Sequence, residues 1–324
     1  MNALALTIML VLCLFLAPFV ADAQQPASVR RVGNVGSGFP AAPTNEAFRQ
    51  GLHDLGWVEG QNIILEWRFA EGKEERLAEL VAELIRLNVD VIFARGTRAL
   101  VAAKQATTTI PIVDLDLESD PVAMGFAGSL ARPGGNITGV FLDLPEVSGK
   151  QLELLKEVLP ALSRVAVLGD PAIHGAQLSA LEVAARVLGV QLQALEVRDP
   201  SEFDRALQAA TREGSQALLV LQSPQSFQHR TQIAALAARH GLPALSLFRE
   251  FAEAGGLIAY GFNLRDLFRR AAHYVDKILK GAKPEVLPVE RPMQFELVLN
   301  LKTAQVLGLT IPPTVLFLAN EVVK

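Results

Sequence analysis

Four carboxylates crowd one short stretch, Asp114-Leu115-Asp116-Leu117-Glu118-Ser119-Asp120. In an extended chain, alternation places Asp114, Asp116 and Glu118 on one face. Grouped there they can hold a cation or a ligand ammonium. The same residues also suit a solvated strand end, with Asp120 capping a helix beside Pro121. The histidines at 53, 174, 229, 240 and 273 are scattered, and no two have the spacing that shares a metal. Gly36-Ser37-Gly38 is too short for a nucleophile elbow. Gly33, Gly36 and Gly38 stand in the wrong order for a dinucleotide loop, and Gly149-Lys150-Gln151 lacks the rest of a phosphate loop. The expectation is therefore no metal, no cofactor and no catalytic residue. Polar loops without a reactive constellation favour binding over turnover. If an enzyme were built on this chain, Asp114 or Asp116 would have to be its acid or base.

The chain has 324 residues, a net charge of −4, half of its residues apolar and a fifth charged. This is globular composition, and the length suits two lobes better than one core. No basic block invites nucleic acid. Ala3 to Val20 is nearly continuous apolar sequence, followed by Ala21-Asp22-Ala23. Small residues at −3 and −1 predict a signal peptide over residues 1–23, cut between Ala23 and Gln24. The alternative is an uncleaved membrane anchor, and Met1-Asn2 lacks the usual basic residue. Cys13, the single cysteine, lies inside this leader, and Leu12 before it argues against lipidation. The mature protein is expected in the periplasm, free of disulfides and thiol chemistry.

Positioning falls to alternating short apolar runs and amphipathic stretches. Strands are predicted at Val32–Val35, Asn62–Phe69, Val89–Ala94 and Ile110–Val113, with helices at Asn45–Leu55, Glu74–Leu87 and from Thr97, as cap, to Gln105. The pattern then restarts. Helices are predicted at Val147–Leu159, Ala176–Leu188, Glu202–Arg212, Thr231–His240 and Leu264–Leu279. Strands are predicted at Arg164–Leu168, Gln191–Val197, Ala217–Leu221, Ala244–Phe248 and Leu257–Tyr260. The fold class is α/β: two doubly wound parallel-sheet lobes joined by a hinge. Residues 24–142 make lobe 1 and 143–263 make lobe 2. Residues 264–324 form a return segment expected to pack mainly on lobe 1.

Such sheets bind ligands outside the carboxyl ends of their strands. The loops falling there are 36–43, 95–98, 114–121, 169–175, 222–226 and 249–251. They nominate Ser37, Gly96, Thr97, Arg98, Asp114, Asp120, Asp170, Ser223 and Arg249 as ligand contacts, and Asn263, after the strand Leu257–Tyr260, is nominated as a ligand contact with them.

Several segments carry a family likeness. They include Leu55-Gly56-Trp57-Val58-Glu59-Gly60-Gln61-Asn62, Gly96-Thr97, Thr109-Ile110-Pro111-Ile112-Val113, Asp120-Pro121-Val122, and Ser129-Leu130-Ala131-Arg132-Pro133-Gly134-Gly135-Asn136-Ile137-Thr138-Gly139. Tyr274 to Pro284 and Phe295 to Ala304 extend the match along the mature chain. The chain resembles ABC transporter substrate-binding proteins of the tryptophan/aromatic amino-acid type, a branch of the type I periplasmic-binding-protein-like fold. The resemblance implies a monomer that captures an amino acid or related carboxylate and delivers it to an ABC permease and ATPase. It places Gly96 and Thr97 at the ligand carboxylate and leaves Asp120 in a structural turn. Arg98 stands where the family commonly has Pro, Asp170-Pro171 where it often has Asn-Pro, and Gly261-Phe262-Asn263 where it often has Gly-Pro-Asn. These departures lie at cleft or hinge positions and put an aromatic ligand in question. A ligand-sensing receptor subunit is the alternative role, and an extracytoplasmic enzyme on the same fold a further one.

Overall fold

The computed structural model describes residues 29–324, apart from 39, 41–42, 117–119, 198 and 293. The predicted leader, its Ala23–Gln24 junction and Glu118 lie outside the described residues. Seven-residue strands β1 (Arg30–Gly36) and β2 (Ile63–Phe69) join β3 (Val91–Arg95), β4 (Ile112–Asp116) and β5 (Ile137–Phe141) in a first sheet. Its order is β2-β1-β3-β4-β5, and every pair is parallel. Parallel strands need crossovers, and helices supply them on both faces. Pro43–Asp54 and Leu264–Leu279 cover one face over Val32, Leu65, Phe93 and Val113. Leu77–Arg86 and Thr97–Ala106 cover the other over Val35, Ile92, Ala94 and Ile112.

The second sheet holds β6 (Arg164–Gly169), β7 (Gln191–Glu196), β8 (Ala217–Val220), β9 (Ala244–Ser246), β10 (Ile258–Gly261), β11 (Glu296–Asn300) and β12 (Glu321–Val323). Its order is β12-β11-β10-β9-β8-β6-β7, with β10–β11 the antiparallel pair. Two parallel-sheet α/β lobes result.

Most elements follow the sequence pattern, and the differences have local causes. Thr97 is predicted as a cap, but Gly96 takes that position with φ +92°, a conformation cheap only for glycine. The helix predicted from Glu74 begins with a single 3₁₀ turn, Glu74–Arg76, before the regular helix buries Leu77, Leu80, Val81 and Leu84. Strand β5 has no counterpart in the sequence reading because Gly139 interrupts its apolar run. That glycine sits at φ +147°, where a Cβ would come within 2.0 Å of the Asp114 carbonyl oxygen. The close approach lets β5 lie against β4 in register, Asp114 opposite Gly139.

The chain crosses between lobes after Phe141, after Gly261 and again between Glu290 and Glu296. Asp143 caps the helix Leu144–Val158 on the first crossing. Arg291, on the third, reaches Asp143 at 2.7 Å and also Glu146, so two crossings are tied together. The return segment divides, which corrects the expectation that it packs mainly on lobe 1. Leu264–Leu279 does pack there, and residues 287–290 run beside β5, where Thr138 Oγ1 donates to the Leu287 carbonyl. Residues from 296 onward instead extend the second sheet, because Leu297 and Leu299 complete its apolar core.

Candidate functional site

The strand ends of the two sheets face one another across a cavity of about 560 Å³. Lobe 1 contributes Ser37, Glu71, Gly72, Glu74, Glu75 and Arg98. Lobe 2 contributes Leu168, Gly169, Asp170, His174, Asp199, Phe203, Ser223, Gln225, Ser226 and His229, with their neighbours. Leu168 and Gly169 close β6, and the other groups sit just beyond the carboxyl end of a strand or on the segment that follows one, where the doubly wound topology opens a crevice.

Lobe 1 builds its wall by letting β1 and β2 run on together past their ends. The amide of Ala70 donates to the Gly36 carbonyl, that of Glu71 to Gly38, and that of Gly72 to Ser37. Two left-handed residues, Glu71 at φ +53° and Gly72 at φ +81°, make the turn. A non-glycine residue in that region carries strain and marks an over-determined loop. The turn aims Glu71, Glu74 and Glu75 toward the cleft. Arg98 pairs with Glu74 at 3.4 Å, and both side chains are well exposed.

Lobe 2 is organised around His174, which is buried at 2% exposure. The Asp170 amide donates to Nδ1 at 3.0 Å, so Nε2 carries the proton and donates to the Gln222 carbonyl at 3.0 Å. One ring thus ties the loop after β6 to the loop after β8. Gly169 lies close beneath it, and a Cβ there would stand 3.0 Å from Nδ1 and press on the ring. Burial lowers the His174 pKa, against smaller raising contributions from Gln222 and Asp170. The Ser223 hydroxyl accepts the Ser226 amide, while the Ser226 hydroxyl accepts the Ser223 amide. Asp199 accepts from the Ser201 amide and hydroxyl, which hold its carboxyl below the usual range. Phe203 and His229, with centroids 6.0 Å apart, form the aromatic part of the wall.

The structure brings four of the ten nominated residues to this cavity: Ser37, Arg98, Asp170 and Ser223. Gly96 and Thr97 start the adjoining helix Thr97–Ala106. Asp114 is buried in β4 at 5% exposure. Asp120 accepts from the Val122 and Ala123 amides and serves a turn. Arg249 lies outside the cavity lining, gripped by Glu253, Glu296 and Glu321, and fastens its helix to β11 and β12. Asn263 caps Leu264–Leu279 by accepting the Asp266 amide and borders a second cavity of about 320 Å³ at the hinge. The sequence reading missed Glu71–Glu75, Asp199, Phe203 and His229. The Glu71-Gly72-Lys73 turn after a strand was a usable sign, but which strand ends oppose each other is a tertiary fact. No group of three metal-ligating side chains occurs among the described residues.

Residues 41–323 match the sequence family described as ABC transporter substrate binding protein. The chain belongs to that family. A solved conserved domain protein from Vibrio cholerae shares 27% identity at a TM-score of 0.81, over 91% of this chain and 100% of that one. An ABC domain from Streptococcus pneumonia, solved in complex with L-Trp, shares 24% identity at a TM-score of 0.80, over 91% and 100% respectively. The tyrosine-binding protein of Clostridioides difficile (strain R20291) is 23% identical over 269 residues, 82% of this chain and 76% of that one. The family binds substrates for ABC transporters, and the type I periplasmic-binding-protein-like architecture agrees with these likenesses.

Proposed function

We propose that this protein is the extracytoplasmic receptor of an ABC importer and closes its two lobes on a single amino acid. The observation that carries the reading is the inter-lobe cavity, walled from both lobes by strand-end loops. Its volume suits a small solute. A ligand touching both walls favours the closed arrangement over the open one by its extra contacts. Glu71, Glu75 and Asp170 offer acceptors for an ammonium, Ser37 and Ser223 offer hydroxyls, and Phe203 with His229 offers a π-face for a flat side chain. Trp- and Tyr-binding relatives support an amino acid, aromatic ones included.

The solute leaves unchanged in this reading. Asp114, the carboxylate best placed by sequence to act as an acid or base, is packed inside β4. The closed receptor, a monomer exported by its leader, then hands the solute to a permease and ATPase. Among the described residues no helix is long and apolar enough to cross a membrane.

The test is a thermal-shift and calorimetric panel of the twenty amino acids, with native mass spectrometry of protein purified from its own host. At least one amino acid should raise the melting temperature in proportion to log concentration. A flat response across the panel, with no retained small molecule, would remove the proposal.

A further inference from the structure

Arg95 ends β3 on the sheet face that carries Phe93, beneath the helix Pro43–Asp54. Its guanidinium lies 5.5 Å from the centroid of the Phe69 ring and 4.7 Å from that of Phe268. Nη1 donates to Asn45 Oδ1 at 2.8 Å and Nη2 donates to Thr44 Oγ1 at 2.9 Å. Both acceptors are neutral, and both residues are buried, Thr44 at 3% and Asn45 at 4% exposure. Among the described residues no carboxylate pairs with Arg95. Arg95 itself is half-buried, and desolvation lowers its pKa to about 10, which leaves it charged at neutral pH.

A half-buried cation without a counter-ion is partly desolvated and gains by acquiring an anionic partner. A guanidinium has five N–H donors in a planar fork. Two are accounted for by Thr44 and Asn45, which fix the plane and leave the others to be met. Arg95 is not one of the residues that line the cavity, but it ends the strand beside them. A Cβ on Gly36 would fall 3.0 Å from that of Arg95, and the next residue, Ser37, lines the cavity. One rung further from the cleft on the same face, Asn34 is 1% exposed, and neither of its amide atoms has a hydrogen-bond partner. This corner of lobe 1 is therefore rich in polar capacity that the protein does not use. Arg98 cannot take the role as well, because Glu74 already faces it and water screens it.

We propose that Arg95 is the anion anchor of the cleft, its guanidinium receiving the carboxylate of the captured solute while Thr44 and Asn45 hold the fork in place. The proposal rests on the cleft being the solute site and adds the charge class that it selects. With a guanidinium at one side and Glu71, Glu74 and Glu75 at another, the cleft reads as a zwitterion receptor. Neutral sugars, and solutes whose acid is masked as an amide, should be refused.

The experiment compares wild type with Arg95→Met and Arg95→Lys. Affinities are measured for each amino acid that binds wild type and for its carboxamide, and melting temperatures are recorded for the ligand-free proteins. Arg95→Met should weaken amino-acid binding about ten- to a hundredfold, the range of a lost charge-assisted contact. It should leave carboxamide binding unchanged, and Arg95→Lys should restore part of the loss. Ligand-free Arg95→Met should lose some melting temperature, because the buried Asn45 Oδ1 and Thr44 Oγ1 lose their donor; the deciding readout is that the affinity loss falls on amino acids and spares carboxamides, whereas a purely structural arginine would lower both together. Equal amino-acid affinity in wild type and Arg95→Met overturns the proposal. A second arm uses sodium acetate against sodium chloride at matched ionic strength, and acetate should raise the wild-type melting temperature but not that of Arg95→Met. If no amino acid binds wild type, the amino-acid function fails and this arm alone decides. Acetate stabilisation that requires Arg95 then supports the anchor, and its absence refutes it. Should Arg95→Met fail to fold, Arg95→Gln, which also removes the charge, gives the same decision in both arms.

Discussion

Replacing His174 with Phe keeps a ring in the same buried slot and removes both hydrogen bonds of the imidazole. The Asp170 amide and the Gln222 carbonyl then lose their partner. An unmet buried polar group costs about 1–3 kcal/mol, so with two of them, one partly rescued by water, the expected loss at pH 8 is about 2–4 kcal/mol. The deficit should depend on pH with a definite sign. Burial holds folded His174 below its unfolded value of 6.5. Between those two values the unfolded chain binds more protons, so stability rises with pH. The contribution is complete above about pH 6.5 and drains away as pH falls toward the folded value, at about 1.4 kcal/mol per unit of depression. The gap between wild type and His174→Phe should therefore be widest at pH 8 and narrower at pH 5. Urea unfolding of both proteins at the two pH values measures it, and the imidazole Cε1 proton resonance in wild type reads the titration directly. A titration midpoint at or above 6.5, or a gap that widens on acidification, would refute the reasoning. The loops joined by His174 carry Asp170 and Ser223, so solute affinity should weaken in the variant as well.

Gly139→Ala should unfold the protein or destabilise it by at least about 4 kcal/mol, because its Cβ meets backbone of β4 that cannot withdraw; a melting temperature within two or three degrees of wild type would contradict this. Arg249→Ala should cost about 1 kcal/mol through three partly exposed ion pairs and leave solute affinity unchanged, which calorimetry on the folded variant would show. Thr97→Ala should weaken solute binding with little change in melting temperature, since Gly96 rather than Thr97 caps the helix; wild-type affinity would take Thr97 out of the site. Gly169→Ala should displace the His174 ring and lower solute affinity, and unchanged affinity would show that the loop has room to yield.

The alternation of apolar runs with helical stripes was enough to read most elements, because local burial patterns are written in local sequence. The helix Leu264–Leu279 is legible to the residue, since its periodic apolar positions mark the bounds that the structure shows, whereas the role of Asn263 as its cap appears only in the structure. Strand β5 was hidden because Gly139 serves a neighbour, Asp114, far away in the chain. The destination of residues 296–323 was hidden for a similar reason: an apolar pentapeptide such as β11 carries no record of which sheet has the vacant edge.

The site divided along the same line. Sequence alone determined the stock of groups: polar strand-end loops, no metal cluster by spacing, and hydroxyls and carboxylates suited to holding a small solute. Ser37, Arg98, Asp170 and Ser223 could be nominated because each follows a strand, and strand ends in such sheets share one side. Tertiary structure decided which of those ends oppose each other, and so brought in the loop Glu71–Glu75 and the pair Phe203 and His229. It also decided which charges were already spoken for. Arg249 met three carboxylates, whereas among the described residues Arg95 met neutral oxygens and rings, and no residue pattern along the chain distinguishes them. The reason is physical: a side chain's type is fixed by the sequence, but its free energy is set by the neighbours that folding brings within a few ångströms.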